Sequence, residues 1–385
     1  MQTACPLLWN HSFISTTSQV RPCCRAKTQH LTPDWKNINF TDGVNTHAHV
    51  SARKEMREGK WPSSCTICKM HEKKFGHSAR LQYLEEYKID YTKEPSNNDI
   101  QYIDVKFNNI CNLACVMCNT DSSSELNKLV KTHAEFCPTS MGSFVDIDWQ
   151  EQKKLDWCKK IISHGNLKIL KTTGGEPFAQ KHFWDLIDWC VANQFTYFKI
   201  HVTTNGTKFN RKFLDKLVKF KGVQLTISCD GTQEVYDYIR FGSKWEKFKQ
   251  NIVILNEYIN MHPNIFSKPN LHCVLQAYNC HNIDNLYDYA KEQGLNFTLD
   301  CFINPYNSVF SIESIPKKIR KRIISRSKLK HIQDYNIKKY ISTMLNTRYN
   351  KTLSYNLKKY TCNLDSIRNT NYALINSPFD LTKID

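Results

Sequence analysis

From residue 100 onward the chain alternates between two hydrophobic periods. Short, nearly continuous apolar runs occur at IQYIDVKF (100–107), LKILKT (167–172), TYFKIHVTT (196–204), VQLTISC (223–229), LHCVLQAY (271–278) and NFTLDCFI (296–303). Such runs read as strands covered on one or both faces. Segments with helical spacing lie between strands, among them KHFWDLIDWCVANQ (181–194) and NIDNLYDYAKEQG (282–294). Strand–helix repeats from Ile100 to about Pro305 predict an α/β fold with a parallel sheet and right-handed crossovers. Residues from about Ile312 onward read as helical, without a motif. Residues 1–98 show little periodicity, and the polar stretch TKEPSNND (Thr92–Asp99) reads as a linker. The expected organisation is therefore 1–98, 99–311 and 312–385.

Composition narrows the class. With 41% hydrophobic and 23% charged residues, this is an ordinary globular chain. It has no run of about 18 apolar residues, so no membrane span is expected. MQTACPLLWNHSFIS lacks a basic n-region and a long apolar core, so a cytoplasmic location is expected. Sixteen cysteines clustered at short spacings point to metal or cluster ligation rather than a disulfide framework. Cys158, Cys190, Cys229 and Cys273 lie within apolar patterns and read as small core residues. The net charge of +17 admits a nucleic-acid partner. The basic segments are scattered, however, and the densest, Lys317–His331, is amphipathic and reads as a solvated helix face. Nucleic acid is the weaker reading.

The chemistry gathers after the strands. ICNLACVMCNT (Ile110–Thr120) follows the first and places Cys111, Cys115 and Cys118 at spacings of four and three. TTGGEPF (Thr172–Phe178) follows the second, TTNGT (Thr203–Thr207) the third and CDGT (Cys229–Thr232) the fourth. Carboxyl ends of parallel strands are where α/β folds build their sites. Three thiolates are an incomplete set for a metal that takes four ligands, and by themselves they also allow zinc.

The C-x3-C-x2-C loop together with GGEP resembles the radical S-adenosylmethionine superfamily over roughly residues 100–305. The resemblance implies a partial (β/α)6 TIM-like barrel. Three thiolates would hold three irons of a 4Fe-4S cluster. The open iron would be chelated by the amino and carboxylate groups of S-adenosylmethionine, which is cleaved reductively to a 5'-deoxyadenosyl radical. It implies roles for Gly174, Gly175 and Glu176 at the methionine amino group, with Pro177 stiffening the turn. Ser228 would sit at the ribose, and Arg240 would pair with the methionine carboxylate. Asn205 either touches cofactor or substrate or caps its turn. Met117 stands where many members carry an aromatic against the adenine.

The N-terminal region has a second constellation. CPLLWNHSFISTTSQVRPCC places Cys5 ahead of a strand–turn–strand, with Cys23 and Cys24 at its end, and WPSSCTICKMHEKKFGHSAR adds Cys65 and Cys68. Cysteines from two hairpin-like segments suffice for one closed site. The layout is similar to the twitch domain, the shorter relative of the SPASM domain, which carries an auxiliary 4Fe-4S cluster. That likeness assigns Cys5, Cys23, Cys65 and Cys68, with Cys24 the alternate to Cys23, and a zinc ribbon as runner-up. In familiar members this domain follows the barrel, whereas here it precedes it.

Four protein thiolates leave no open iron, which suits electron transfer and hence net oxidation of a substrate. The resemblance favours a peptide or protein substrate and an electron donor of the flavodoxin or ferredoxin type. Asp300, near the mouth end of the sixth strand, is a candidate base. The alternatives are a radical enzyme acting on RNA or a small metabolite, and a zinc-dependent nucleic-acid-binding protein.

Overall fold

The computed structural model describes residues 3–26, 40–133, 142–301 and 309–375. The end of the anticipated sixth strand, at 302–303, lies outside them. The N-terminal part comprises α1 (Leu7–Asn10), β1 (His11–Ile14), β2 (Val20–Arg21), α2 (His47–Arg57), α3 (Thr66–Phe75) and α4 (Ala79–Glu86). Next come β3 (Tyr102–Val105), α5 (Ser124–Thr132), α6 (Glu151–Ser163), β4 (Ile169–Thr172), α7 (Lys181–Ala192), β5 (Lys199–Thr204) and α8 (Arg211–Leu217). They are followed by β6 (Gly222–Ser228), α9 (Gln233–Ile239), α10 (Trp245–Met261), β7 (Asn270–Leu275), α11 (Ile283–Glu292) and β8 (Asn296–Cys301). Three helices close the described chain, α12 (Lys317–Arg326), α13 (Tyr335–Asn346) and α14 (Lys351–Arg368). A strand forms within or beside each of the six anticipated runs, with bounds that differ by at most three residues at the described ends.

The chain folds as two compact units. One holds residues 1–108, 147–202 and 215–223, the other 109–146, 203–214 and 224–385. They part at different positions from the three segments read off the sequence.

In the first unit, β3 pairs in parallel with β4, and β4 with β5. β1 also pairs in parallel with β3, from His11 opposite Tyr102 to Ile14 opposite Val105, and β2 returns antiparallel to it. The N-terminal region thus supplies a sheet strand as well as its cysteines. Periodicity could not reveal this, because β1 is only four residues long, and all four are buried. Helix α7 buries Phe183, Trp184, Leu186, Ile187 and Cys190, the one-faced spacing expected of it. The Lys154 ammonium is buried and donates to the carbonyls of Thr16 (2.8 Å), Lys106 (3.0 Å) and Phe107 (2.8 Å). Those bonds tie the ends of two strand-following loops to α6.

In the second unit, β6 pairs in parallel with β7, and β7 with β8. The free edge of β8 is satisfied by α13. Asn336 accepts from the Leu299 N–H and donates to the Phe297 carbonyl, both at 3.1 Å, and Lys339 donates to Leu299 O at 3.2 Å. The Asn336 amide and the Lys339 ammonium here do what another strand would, closing an edge otherwise open to pairing. Among the described residues no helix is long and apolar enough to cross a membrane. Cys158, Cys190, Cys229 and Cys273 are fully buried.

Candidate active site

The three-cysteine loop is an irregular segment pinned by backbone pairing. Ala114 and Val116 donate to the carbonyls of Phe241 and Ile239, each at 2.9 Å, so residues 114–116 run beside the end of α9 like a strand. Gly242 makes that approach feasible. Its φ is +101°, and a Cβ there would lie 3.0 Å from the Asn112 carbonyl. On the other side, Ser124 Oγ accepts from the Cys111 N–H at 3.1 Å, and Ser123 Oγ donates to Leu113 O at 2.6 Å while capping α5. Cys115 is buried, and Cys111 and Cys118 are half-buried.

Arg240 reaches this loop from α9, its Nη1 3.8 Å from Cys115 Sγ. Its Nη2 pairs with Asp230 at 2.5 Å, a carboxylate with no exposed surface. Burial works against the guanidinium charge, but Asp230 outweighs it and holds Arg240 well above the ordinary arginine range. The other Asp230 oxygen accepts from the Val274 N–H at 2.8 Å, anchoring the pair to β7. Asp230 sits in the CDGT loop, yet a lone aspartate after a strand carries no signal of this pairing.

Asn205 both caps its turn and touches the cysteine loop. Its Oδ1 accepts from the N–H (2.9 Å) and hydroxyl (2.6 Å) of Thr207. Its Nδ2 donates to Asn112 Oδ1 at 3.1 Å and lies 3.9 Å from Cys111 Sγ. Ser228 ends β6, half-buried and opposite His272. Met117 is half-buried between Cys115 and Cys118. Asp300 is half-exposed, 3.2 Å from Lys339 Nζ and 3.8 Å from His272 Nε2. It is thus already engaged by a cation.

In the first unit, the GGEP turn follows β4. Gly174 and Gly175 have φ of +76° and +56°, and a Cβ on Gly174 would lie 2.6 Å from Lys106 Cδ. Glu176 is buried and accepts from the Phe178 N–H at 3.1 Å. Gln180 donates to Gly174 O at 2.9 Å, and its own Oε1 is buried without a partner. A buried spare acceptor suits a donor such as an ammonium group.

The N-terminal cysteines converge. Cys5, Cys23, Cys24, Cys65 and Cys68 line one cavity with Trp61, Arg80, Tyr102 and Asp104. The second cysteine segment is helical rather than hairpin-like. Cys65 caps α3 and Cys68 lies in its first turn, because TICKMHEKKF presents helical spacing after the Pro62 stop. Cys5 and Cys65 pack on Leu8, Trp9, Ala52 and Met56, and Cys5 and Cys23 on Leu7, Tyr102 and Ile169. Burial pushes the Cys65 thiol up to about 11. Cys5 goes higher still, through burial and the neighbouring Cys65 and Cys68. Thiols so placed ionise only when a bound cation compensates, which is what iron or zinc supplies. Arg80, fixed by Glu72 at 2.6 Å and donating to Ala4 O at 2.8 Å, lies beside Cys5 and Cys68. Asp104 pairs with Lys171 at 2.8 Å at the cavity's strand side. Among the described residues no three His, Cys, Asp or Glu side chains converge as one shared metal ion requires. A multi-iron cluster spreads its thiolates over separate irons.

Residues 105–270 match the family model of the Radical SAM superfamily. The matched segment takes in Cys111, Cys115, Cys118, the GGEP turn and Arg240. Over 131 residues it is 28% identical to mycofactocin maturase MftC of Mycobacterium ulcerans, covering 34% of this chain and 29% of that protein. MftC of Mycolicibacterium smegmatis is 27% identical over 134 residues, 34% and 28% of the two chains. The match spans less than a third of these curated relatives' length. Among solved structures, Streptococcus suis SuiB bound to S-adenosylmethionine aligns at 14% identity and TM-score 0.38, over 58% of this chain and 46% of SuiB. Native anSMEcpe with bound AdoMet and the Cp18Cys peptide aligns at 16% and 0.34, over 58% and 61%.

Proposed function

We propose that the protein is a radical S-adenosylmethionine enzyme that oxidatively modifies a peptide or protein. The observation that carries the reading is the pinned three-cysteine loop, with its odd number of thiols, inside the matched domain. Curated relatives named as maturases favour a peptide substrate. When bound, the cluster and S-adenosylmethionine supply a 5'-deoxyadenosyl radical for hydrogen abstraction.

The chain's residues do the rest. Cys111, Cys115 and Cys118 hold three irons. Glu176, the Gly174 and Gly175 backbone and the spare Gln180 acceptor bind the methionine amino group. Arg240 meets the methionine carboxylate and shares its charge with Asp230. Ser228 contacts the ribose, Met117 packs on the adenine, and Asn205 orients the loop at Cys111. Asp300 is the candidate proton acceptor, with Lys339 Nζ 3.2 Å from its carboxylate.

Cys5, Cys23, Cys65 and Cys68, with Cys24 alternate to Cys23, would hold an auxiliary 4Fe-4S cluster, which would supply an acceptor for the substrate electron. A twitch-like N-terminal domain and a partial (β/α)6 barrel belong to the same reading. They are supported by five cysteines on one cavity and by parallel pairing within each unit. A flavodoxin- or ferredoxin-type donor supplies the electron for cofactor cleavage.

The test is direct. Anaerobically reconstituted protein with dithionite is expected to convert S-adenosylmethionine to 5'-deoxyadenosine. Cleavage persisting at the wild-type rate in Cys111→Ala, Cys115→Ala and Cys118→Ala would sink the assignment.

A further inference from the structure

Helix α14 ends against the three-cysteine loop, from more than 240 residues away in sequence. Tyr360 donates its hydroxyl to the Val116 carbonyl at 3.1 Å, and Arg368 Nη2 donates to the Ala114 carbonyl. The two bonds grip the residues on either side of Cys115. Arg368 is only 8% exposed, with its guanidinium carbon 4.5 Å from the centre of the Phe241 ring. Its Nε and Nη1 are buried without a hydrogen-bond partner.

Among the described residues no carboxylate pairs with Arg368. The nearest acid on its own helix, Asp365, accepts instead from the Tyr372 N–H at 2.9 Å and the Thr370 hydroxyl at 2.8 Å. Arg240 has Asp230 as its counter-charge, whereas Arg368 has none among the described residues. A buried cation without a counter-charge is costly. Two unused donors and a full charge beside Cys115 call for an anion at that loop.

We propose that Arg368 is a positioning residue of the cysteine loop that also supplies positive charge to the cluster held by Cys111, Cys115 and Cys118. This rests on the cluster assignment above. A 4Fe-4S core bound by three thiolates is net anionic, and reduction adds one more negative charge. A nearby fixed cation stabilises the reduced state, so it raises the potential at which the cluster accepts its electron.

The experiment is an anaerobic redox titration of the reconstituted protein, followed by electron paramagnetic resonance of the signal that changes when S-adenosylmethionine binds. Arg368→Gln keeps an N–H donor for Ala114 and removes the charge, whereas Arg368→Lys keeps the charge. In R368Q the ratio of reduced to oxidised cluster at a fixed potential is expected to fall about tenfold. R368K stays near wild type, and iron content stays the same in both. Wild-type behaviour in R368Q, or an equal fall in R368Q and R368K, would overturn the charge assignment. If R368Q does not fold, Arg368→His lets the charge be switched within one protein. Its potential must then drop by more than the wild type's as pH rises through the histidine range, and a shift no larger than the wild type's overturns the proposal. A wild type without any S-adenosylmethionine-sensitive signal would defeat the cluster assignment itself, a separate result.

Discussion

The two cysteine sites are built by opposite means. In the second unit, three thiols lie within eight residues, and backbone bonds to 239–241, serine hydroxyls and the end of α14 hold the segment in place. In the first unit, five thiols come from three distant segments, with Cys5 and Cys65 packed on an apolar cluster of α1 and α2 and Cys5 and Cys23 on a second of α1, β3 and β4. A local ligand loop leaves room for an open metal position with charged groups close by, and Arg240 and Asp230 provide them. A set gathered from separate segments encloses its contents in apolar walls. Under the proposed function, the difference would fit cofactor chemistry at the loop and a closed, electron-passing cluster at the gathered set.

Removing one thiolate from the loop tests the comparison most severely. Each alanine variant at Cys111, Cys115 or Cys118 is expected to lower 5'-deoxyadenosine formation at least about a hundredfold, read by chromatography of the quenched reaction. Iron analysis then separates the sites. Wild type should hold about eight irons per chain, and the triple variant about half of that. Zinc retained in place of iron would convert the first-unit site to a ribbon.

Cys65→Ala or Cys68→Ala should leave cofactor cleavage intact in the absence of substrate, while the ratio of oxidised product to 5'-deoxyadenosine falls severalfold. An unchanged ratio in folded protein would make the N-terminal site purely structural.

Asp230→Asn leaves Arg240 buried without its counter-charge and is expected to cost about 3 kcal/mol in urea unfolding. Asp230→Asn combined with Arg240→Met should recover part of that loss.

The smallest effect concerns His49, fully buried, its ring bonded to Thr46 Oγ1 at 2.7 Å and lying 3.3 Å from His11 O. Burial depresses its folded value to about 3. The unfolded chain therefore binds its proton near the usual histidine value while the native state resists it. Stability contributed by neutral His49 is complete above that value and declines as pH falls towards about 3. His49→Gln should flatten the unfolding midpoint between pH 7 and 5, and an undiminished slope would assign the effect elsewhere.

The strand–helix alternation, the three-cysteine loop and the GGEP turn were legible in the sequence because each depends on neighbours a few residues apart. Period-two and period-3.6 patterns reflect local backbone geometry, and a glycine pair at positive φ needs no distant partner to declare itself. The N-terminal cysteines could be counted and grouped from the sequence. Their convergence on one cavity, with Cys65 and Cys68 on a helix, was decided by packing. Three further features had no local signature: β1 joining the sheet beside β3, Asp230 pairing with Arg240, and α14 reaching the carbonyls around Cys115. Each satisfies a buried charge or backbone group with a partner outside the reach of strand or helix periodicity, and only the folded chain brings such partners within bonding distance.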